Sequence, residues 1–181
     1  TGRGKCLFND FYEWTDETLS FLEQNNLAEN IAVKPHPNSR DNSIQTEKEF
    51  KKKYPNFIWL DKSVSNKNIF ANKPWLGISA FGSVLPELAY HDIFCLAAST
   101  HPSMAYNFVY QPKTKNQYFD KILQAMKTKK KLKVKSRNKI YEYIYCDFLK
   151  DDNNELLAKK IKLKEWNFTK SLVLNKFIAS L

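Results

Sequence analysis

The chain has 181 residues, 43% of them hydrophobic and 14% aromatic, which sets one domain, or one and a half, with a real core to bury. Its formal net charge is +10, yet no recognition-helix, RNP-like or zinc-finger pattern accompanies the basic residues, so nucleic-acid binding is disfavoured. No apolar run approaches the ~18–20 residues of a membrane span, nothing has the layout of a signal peptide, and Cys6, Cys95 and Cys146 lie far apart in apolar patterns, reading as reduced, buried thiols of a cytoplasmic protein.

In chain order, residues 5–9 read as a first strand and 13–25 as a first helix, opened by Thr15-Asp16-Glu17-Thr18 and striped by Trp14, Leu19, Phe21 and Leu22. Ile31-Ala32-Val33 is the second strand, ended by Pro35 and Pro37; residues 37–42 form a polar loop, and 44–54 a charged helix with Pro55 just past its end. Residues 56–60 make a third strand, 66–72 a helical turn, 75–79 a fourth strand, 83–90 a helix and 92–97 a fifth strand. Residues 118–126, 138–149 and 155–161 read as helices. The alternation of strand and helix predicts an α/β domain, a parallel sheet with right-handed crossovers, over residues 1–135, with C-terminal helices over 136–181.

Chemistry concentrates at the carboxyl ends of these strands, where open α/β sheets bind ligands. Pro35 and Pro37 give no N–H to a ladder and rigidify the backbone, leaving Lys34 and His36 at the edge of the second strand. His36, as imidazolium or as a neutral N–H donor, is suited to stabilise charge developing on a departing phosphate, and Lys34 adds a fixed positive charge. After the fourth strand, Gly82-Ser83 forms a tight turn into a helix. Such a turn offers backbone N–H groups, a hydroxyl and a positive dipole end to an anion, with Ser79 a further hydroxyl at the strand end. Ser83 as a plain helix cap is the competing reading. Pro86 fits only the first turn, which sets the helix register and puts Glu87 one turn after Ser83 on the same face. His36 and Ser83 are therefore expected on the order of 10 Å apart, around one phosphate.

The Lys34-Pro35-His36-Pro37 run, the Gly82-Ser83 turn with Glu87, and His101-Pro102-Ser103-Met104-Ala105-Tyr106-Asn107-Phe108, taken in order, resemble the C-terminal half of bacterial capsule and surface-polysaccharide glycosyltransferases of the GT-B type. The His-Pro element is also similar to that of sialyltransferases, Kdo transferases and teichoic-acid glycerophosphotransferases. The resemblance covers roughly residues 6–123 and implies a Rossmann-like, donor-binding half of a metal-independent enzyme. It implies His36 as catalytic group, Lys34, Ser79, Gly82 and Ser83 around the donor phosphate, and Glu87 on the ribose. His101 and Asn107 would then reach the donor or acceptor, and Asp10 and Glu13, after the first strand, would face the cleft between halves and touch acceptor. The implied donor is a CMP-, CDP- or UDP-linked sugar, with no separate cofactor; the implied acceptor is a growing polysaccharide. A GT-B enzyme needs two halves, so the chain is expected to be a piece that lacks the N-terminal one. Residues 166–181 are the segment expected to cross to that half, and an apolar docking patch is expected near Phe11, Tyr12 and Trp14.

Two alternatives stay open. One is a transferase of glycerophosphate or sugar phosphate from a CDP-linked donor, using the same site. The other is a non-catalytic basic module for membrane or nucleic acid. Much of the charge lies in residues 127–139, either a solvated face or an attraction to the anionic inner leaflet at ~1 kcal/mol per basic residue. That leaflet makes the expected location cytoplasmic and peripheral to the plasma membrane. Three scattered histidines and no Asp-x-Asp cluster argue against a metal-dependent mechanism, and no Walker motif or Gly-x-Gly-x-x-Gly occurs.

Overall fold

A computed structural model describes residues 6–36, 41–128 and 137–146. Its helices are α1 (Phe11–Gln24), α2 (Asp41–Lys53), α3 (Asn66–Ala71), α4 (Val84–Tyr90), α5 (Lys115–Thr128) and α6 (Arg137–Ile144). Its strands are β1 (Ala32–Val33), β2 (Ile58–Trp59), β3 (Leu76–Ser79), β4 (Phe94–Ala97) and β5 (Val109–Tyr110). Every strand pair is parallel, and the architecture is the expected α/β one, with helices packed on parallel sheets.

The single expected sheet is instead two ladders, β1–β2 and β3–β4–β5. Ala32 faces Ile58 across the first, while Leu76 faces Phe94 and Cys95 faces Val109 in the second. The expected first strand is a correction too: its described part makes one antiparallel bridge, Cys6 to Ser99, and one bond from the Leu7 N–H to the Ala98 carbonyl at 2.9 Å. The chain then turns at once, because Phe8 is buried and Asp10 caps α1, accepting the Glu13 N–H at 2.7 Å. That cap starts α1 earlier than the Thr15 signal implied. α2 likewise begins at Asp41, inside the expected loop, and α5 at Lys115, where the Thr114 hydroxyl accepts the Gln117 N–H at 3.2 Å.

Residue alternation on β4 explains why both faces are covered. Leu96 and the following Ala98 point into one cluster, with Leu19 and Leu22 of α1, Phe50 of α2 and Tyr118, Ile122 and Met126 of α5. Cys95 and Ala97 point into the other, with Phe70 of α3, Leu85, Leu88 and Ala89 of α4 and Ile140, Tyr143 and Ile144 of α6. A strand apolar on both faces is the mark of a buried parallel sheet. Val33, Trp59, Leu76 and Ile78 all pack on the first cluster, so the two ladders share one core layer.

Gly77 on β3 lets α4 come close: a Cβ there would lie 2.5 Å from a Leu88 methyl. Of the cysteines, Cys95 is buried as expected, but Cys6 is half-buried and Cys146 exposed, because Cys146 lies past the packed turns of α6. Phe11 and Tyr12 are 49% and 48% exposed, whereas Trp14 turns inward and donates its indole N–H to the Tyr118 hydroxyl at 2.9 Å. No helix among the described residues is long and apolar enough to cross a membrane. Residues 37–40, most of the basic run (129–136), the expected helix over 155–161 and the segment 166–181 lie outside the described residues.

Candidate functional site

The site is assembled from the ends of three consecutive strands. β1 ends because Pro35 offers no N–H: the Val33 carbonyl still accepts from Leu60 at 2.9 Å, and the chain then leaves the ladder with Lys34 half-buried and His36 exposed. After β2, Asp61 folds the chain back by accepting the Ser63 N–H at 2.8 Å and its hydroxyl at 2.6 Å. Ser65 then caps α3, accepting the Asn68 N–H at 3.2 Å, which makes Asn66 the first helical residue. After β3, the chain turns through Ser79–Ser83 into α4, and Glu87 lies in its first turn, half-buried.

These ends converge on Glu87. Asn66 Nδ2 donates to Glu87 Oε2 at 2.9 Å. Burial pushes the Glu87 carboxyl above its ordinary value, while the Asn66 amide and the positive charge of Lys34 pull in the opposite direction. A carboxylate and a carboxamide thus meet beyond the carboxyl ends of the parallel strands, the edge at which α/β sheets take ligands, and the Lys34 ammonium acts on the carboxylate through its charge.

The turn preceding α4 has the geometry of a close-approach loop. Gly82 sits at φ 152°, which an L side chain rarely adopts. The Ser79 hydroxyl donates to the Phe81 carbonyl at 3.4 Å and lies 4.0 Å from where a Gly82 Cβ would be. Ser83 is exposed and helical (φ −63°, ψ −16°), and its side chain makes no capping bond. The plain-cap reading of Ser83 therefore does not hold, since a capping side chain needs an extended backbone to swing back over the N–H groups.

Other expected residues have local partners. His101 is 4% exposed; its Nδ1 accepts the Ser103 N–H at 3.2 Å and lies 2.7 Å from the Ser103 hydroxyl, and its ring packs against Phe81 at 5.0 Å. It therefore packs on the Ser79–Ser83 turn through Phe81. Asn107 takes the left-handed conformation (φ 56°) that closes a 3₁₀ turn, which short polar side chains tolerate. Asp10 is the α1 cap, and Glu13 accepts from the Asn9 N–H and binds Lys115 Nζ at 2.8 Å, with Glu17 on the same ammonium at 2.7 Å. The hydrogen bond from Lys115 holds the Glu13 carboxyl below its ordinary value.

His36 and Ser83 were expected at neighbouring strand ends; β1 and β3, which precede them, belong to separate ladders that pack on one core layer. The side chains that the fold joins here are Asn66 and Glu87, with the charge of Lys34 acting on the carboxylate.

Two contributions escaped sequence reasoning. Asn66 was legible only as part of a helical turn; the signal that would have found it is its place after β2, the strand end between the two inspected. The second is a strut across the ends of the larger ladder. Gln111 donates its amide to the Ser99 carbonyl, and the Ser99 hydroxyl donates to the Ala80 carbonyl at 2.5 Å, tying β5, β4 and β3 where the site begins. Comparison with protein-family models, curated proteins and solved structures finds no match.

Proposed function

We propose that this chain is the donor-binding half of a GT-B-type glycosyltransferase, moving a sugar from a nucleotide-activated donor to a growing capsular or surface polysaccharide. The observation that carries the reading is the Asn66–Glu87 hydrogen bond between the helices that follow two successive strands of a parallel α/β fold, with the Gly82 turn leading into the same helix as Glu87 and the charge of Lys34 acting on the carboxylate. The motif resemblance agrees with it. Glu87 accepts from the ribose hydroxyls. The donor phosphate lies against the turn of Ser79, Gly82 and Ser83, where Gly82 allows the backbone close approach, and Lys34 supplies positive charge.

In this mechanism the acceptor hydroxyl attacks the anomeric carbon and gives up its proton to solvent water, the C–O bond from the anomeric carbon to the donor phosphate breaks, and the electron pair stays on the nucleotide. His36 donates a hydrogen bond to that leaving phosphate, where charge grows most in the transition state. The acceptor and the closing half of the enzyme complete the cleft from the other side, at the anionic inner face of the membrane.

The test is a nucleotide panel (CMP, CDP, UMP, UDP, GMP, GDP) followed by thermal shift on the chain. A nucleotide at 100 times its Kd is expected to stabilise the fold by roughly 2.7 kcal/mol. No shift with any of the six at millimolar concentration, on a folded sample, would overturn the reading. In the assembled two-half enzyme, His36→Ala is expected to lower kcat about a hundredfold with little change in donor Kd, measured by steady-state kinetics and titration.

A further inference from the structure

We infer that Asn66 is a positioning residue of this site: it fixes one oxygen of the Glu87 carboxylate so that the other is presented to vicinal hydroxyls of the ligand. The inference rests on the nucleotide reading above and adds to it a residue on a different strand–helix unit. The argument begins with geometry. Asn66 Nδ2 lies 2.9 Å from Glu87 Oε2, and the pair is half-buried. A glutamate side chain has three rotatable bonds, and the hydrogen bond that holds this one comes from α3. A carboxamide N–H on a carboxylate is a charge-assisted bond, stronger than a neutral pair, and it engages a single oxygen.

Asn66 is itself held. It is the first residue of α3, and Ser65 fixes the start of that helix through the Asn68 N–H. Phe70, one turn on, is buried in the cluster that also holds Leu85, Leu88 and Ala89 of α4. α3 and α4 are thus joined by apolar packing at one level and by the Asn66–Glu87 bond at another. The bond needs no contribution to the core, since the packing exists without it. Glu87 keeps the acceptor capacity of Oε1, since the Asn66 bond engages Oε2. An oriented carboxylate oxygen beside a fixed donor is the arrangement that distinguishes a ligand with hydroxyls from one without, because a misplaced acceptor loses most of such a bond.

The experiment compares binding of UMP, CMP and GMP with their 2′,3′-dideoxy analogues by titration calorimetry, for the wild-type chain and Asn66→Ala and Asn66→Asp variants. The wild-type chain is expected to prefer a ribonucleotide over its dideoxy analogue by roughly tenfold or more. Both variants are expected to lose most of that preference while binding the dideoxy analogue as the wild type does, a split that general loosening of α3 would not give. The aspartate keeps the shape of Asn66 and its suitability for a helix start but presents an acceptor to an acceptor, so it carries the test if the alanine variant fails to fold. On a Glu87→Ala background, Asn66→Ala is expected to change the preference no further.

Retention of the wild-type preference by a folded variant overturns the role of Asn66 and leaves the nucleotide reading standing. A folded wild-type chain that binds none of the six overturns the nucleotide reading, and this inference with it. Equal losses for ribo- and dideoxynucleotides also overturn it, because they would make Asn66 a structural support only.

Discussion

Glu87 carries an ionised group where the fold would be better served by a neutral one. Burial raises its pKa, so ionising it costs the folded state something that it does not cost the unfolded chain. The sign follows directly. Below the ordinary glutamate value the carboxyl is protonated in both states and the cost is absent. As pH rises through the elevated folded value, the folded state must release a proton it would rather keep, and stability falls. Glu87→Gln is therefore expected to raise Tm at pH 7 and to leave it unchanged near pH 3.5, checked by thermal melts at both; a lowered Tm at pH 7 would mean that Lys34 and Asn66 more than offset the desolvation. The places of Lys34 and His36 past the end of β1 were legible from the prolines that flank them, and that of Glu87 from the helix register set by Pro86, because proline acts through its own backbone. Asn66 was not legible, since its role depends on a through-space contact to Glu87 that no local pattern encodes.

At the scale of elements, two contacts set the geometry under the site. α4 lies against β3 only because Gly77 has no side chain; Gly77→Ala puts a methyl 2.5 Å from a Leu88 methyl that is itself buried. The expected cost is about 1–3 kcal/mol, measured by denaturant unfolding, with Glu87 displaced as α4 moves. On the opposite face, the buried Tyr118 hydroxyl is the shared partner of Trp14 and Thr18, at 2.9 and 3.1 Å, and burial pushes its pKa up to about 12. Tyr118→Phe leaves an indole N–H and a hydroxyl without that partner, and is expected to cost about 1–3 kcal/mol in the same experiment. Helix and strand identity was legible through period and proline, and most element positions followed. Boundaries were missed where a side chain reaches back to cap, as Asp10 and Thr114 do, because the sequence offers several polar candidates and only the fold chooses one. The first strand failed for a related reason: the apolar run Cys6-Leu7-Phe8 is outweighed when Phe8 is drawn into the core and Asp10 starts a helix.

For the whole molecule, the parallel α/β architecture followed from the strand–helix alternation, and the two-sided burial of β4 bears it out. The division into two ladders did not follow, because pairing between strands is long-range and β1 and β2 are only two residues each. What the architecture contributes is an edge: beyond successive strand ends Asn66 bonds Glu87, the charge of Lys34 acts on that carboxylate, and the Gly82 turn leads into the same helix. The most direct test of that account is a ¹⁵N-resolved NMR titration of the wild-type chain with UDP or CDP. The account predicts saturable shifts concentrated at Lys34, Asn66, residues 79–83 and Glu87, lost in a Glu87→Ala, Lys34→Ala double variant that remains folded. Saturable shifts centred elsewhere, such as at Asp10 and Lys115, or no shifts at millimolar nucleotide, would contradict it.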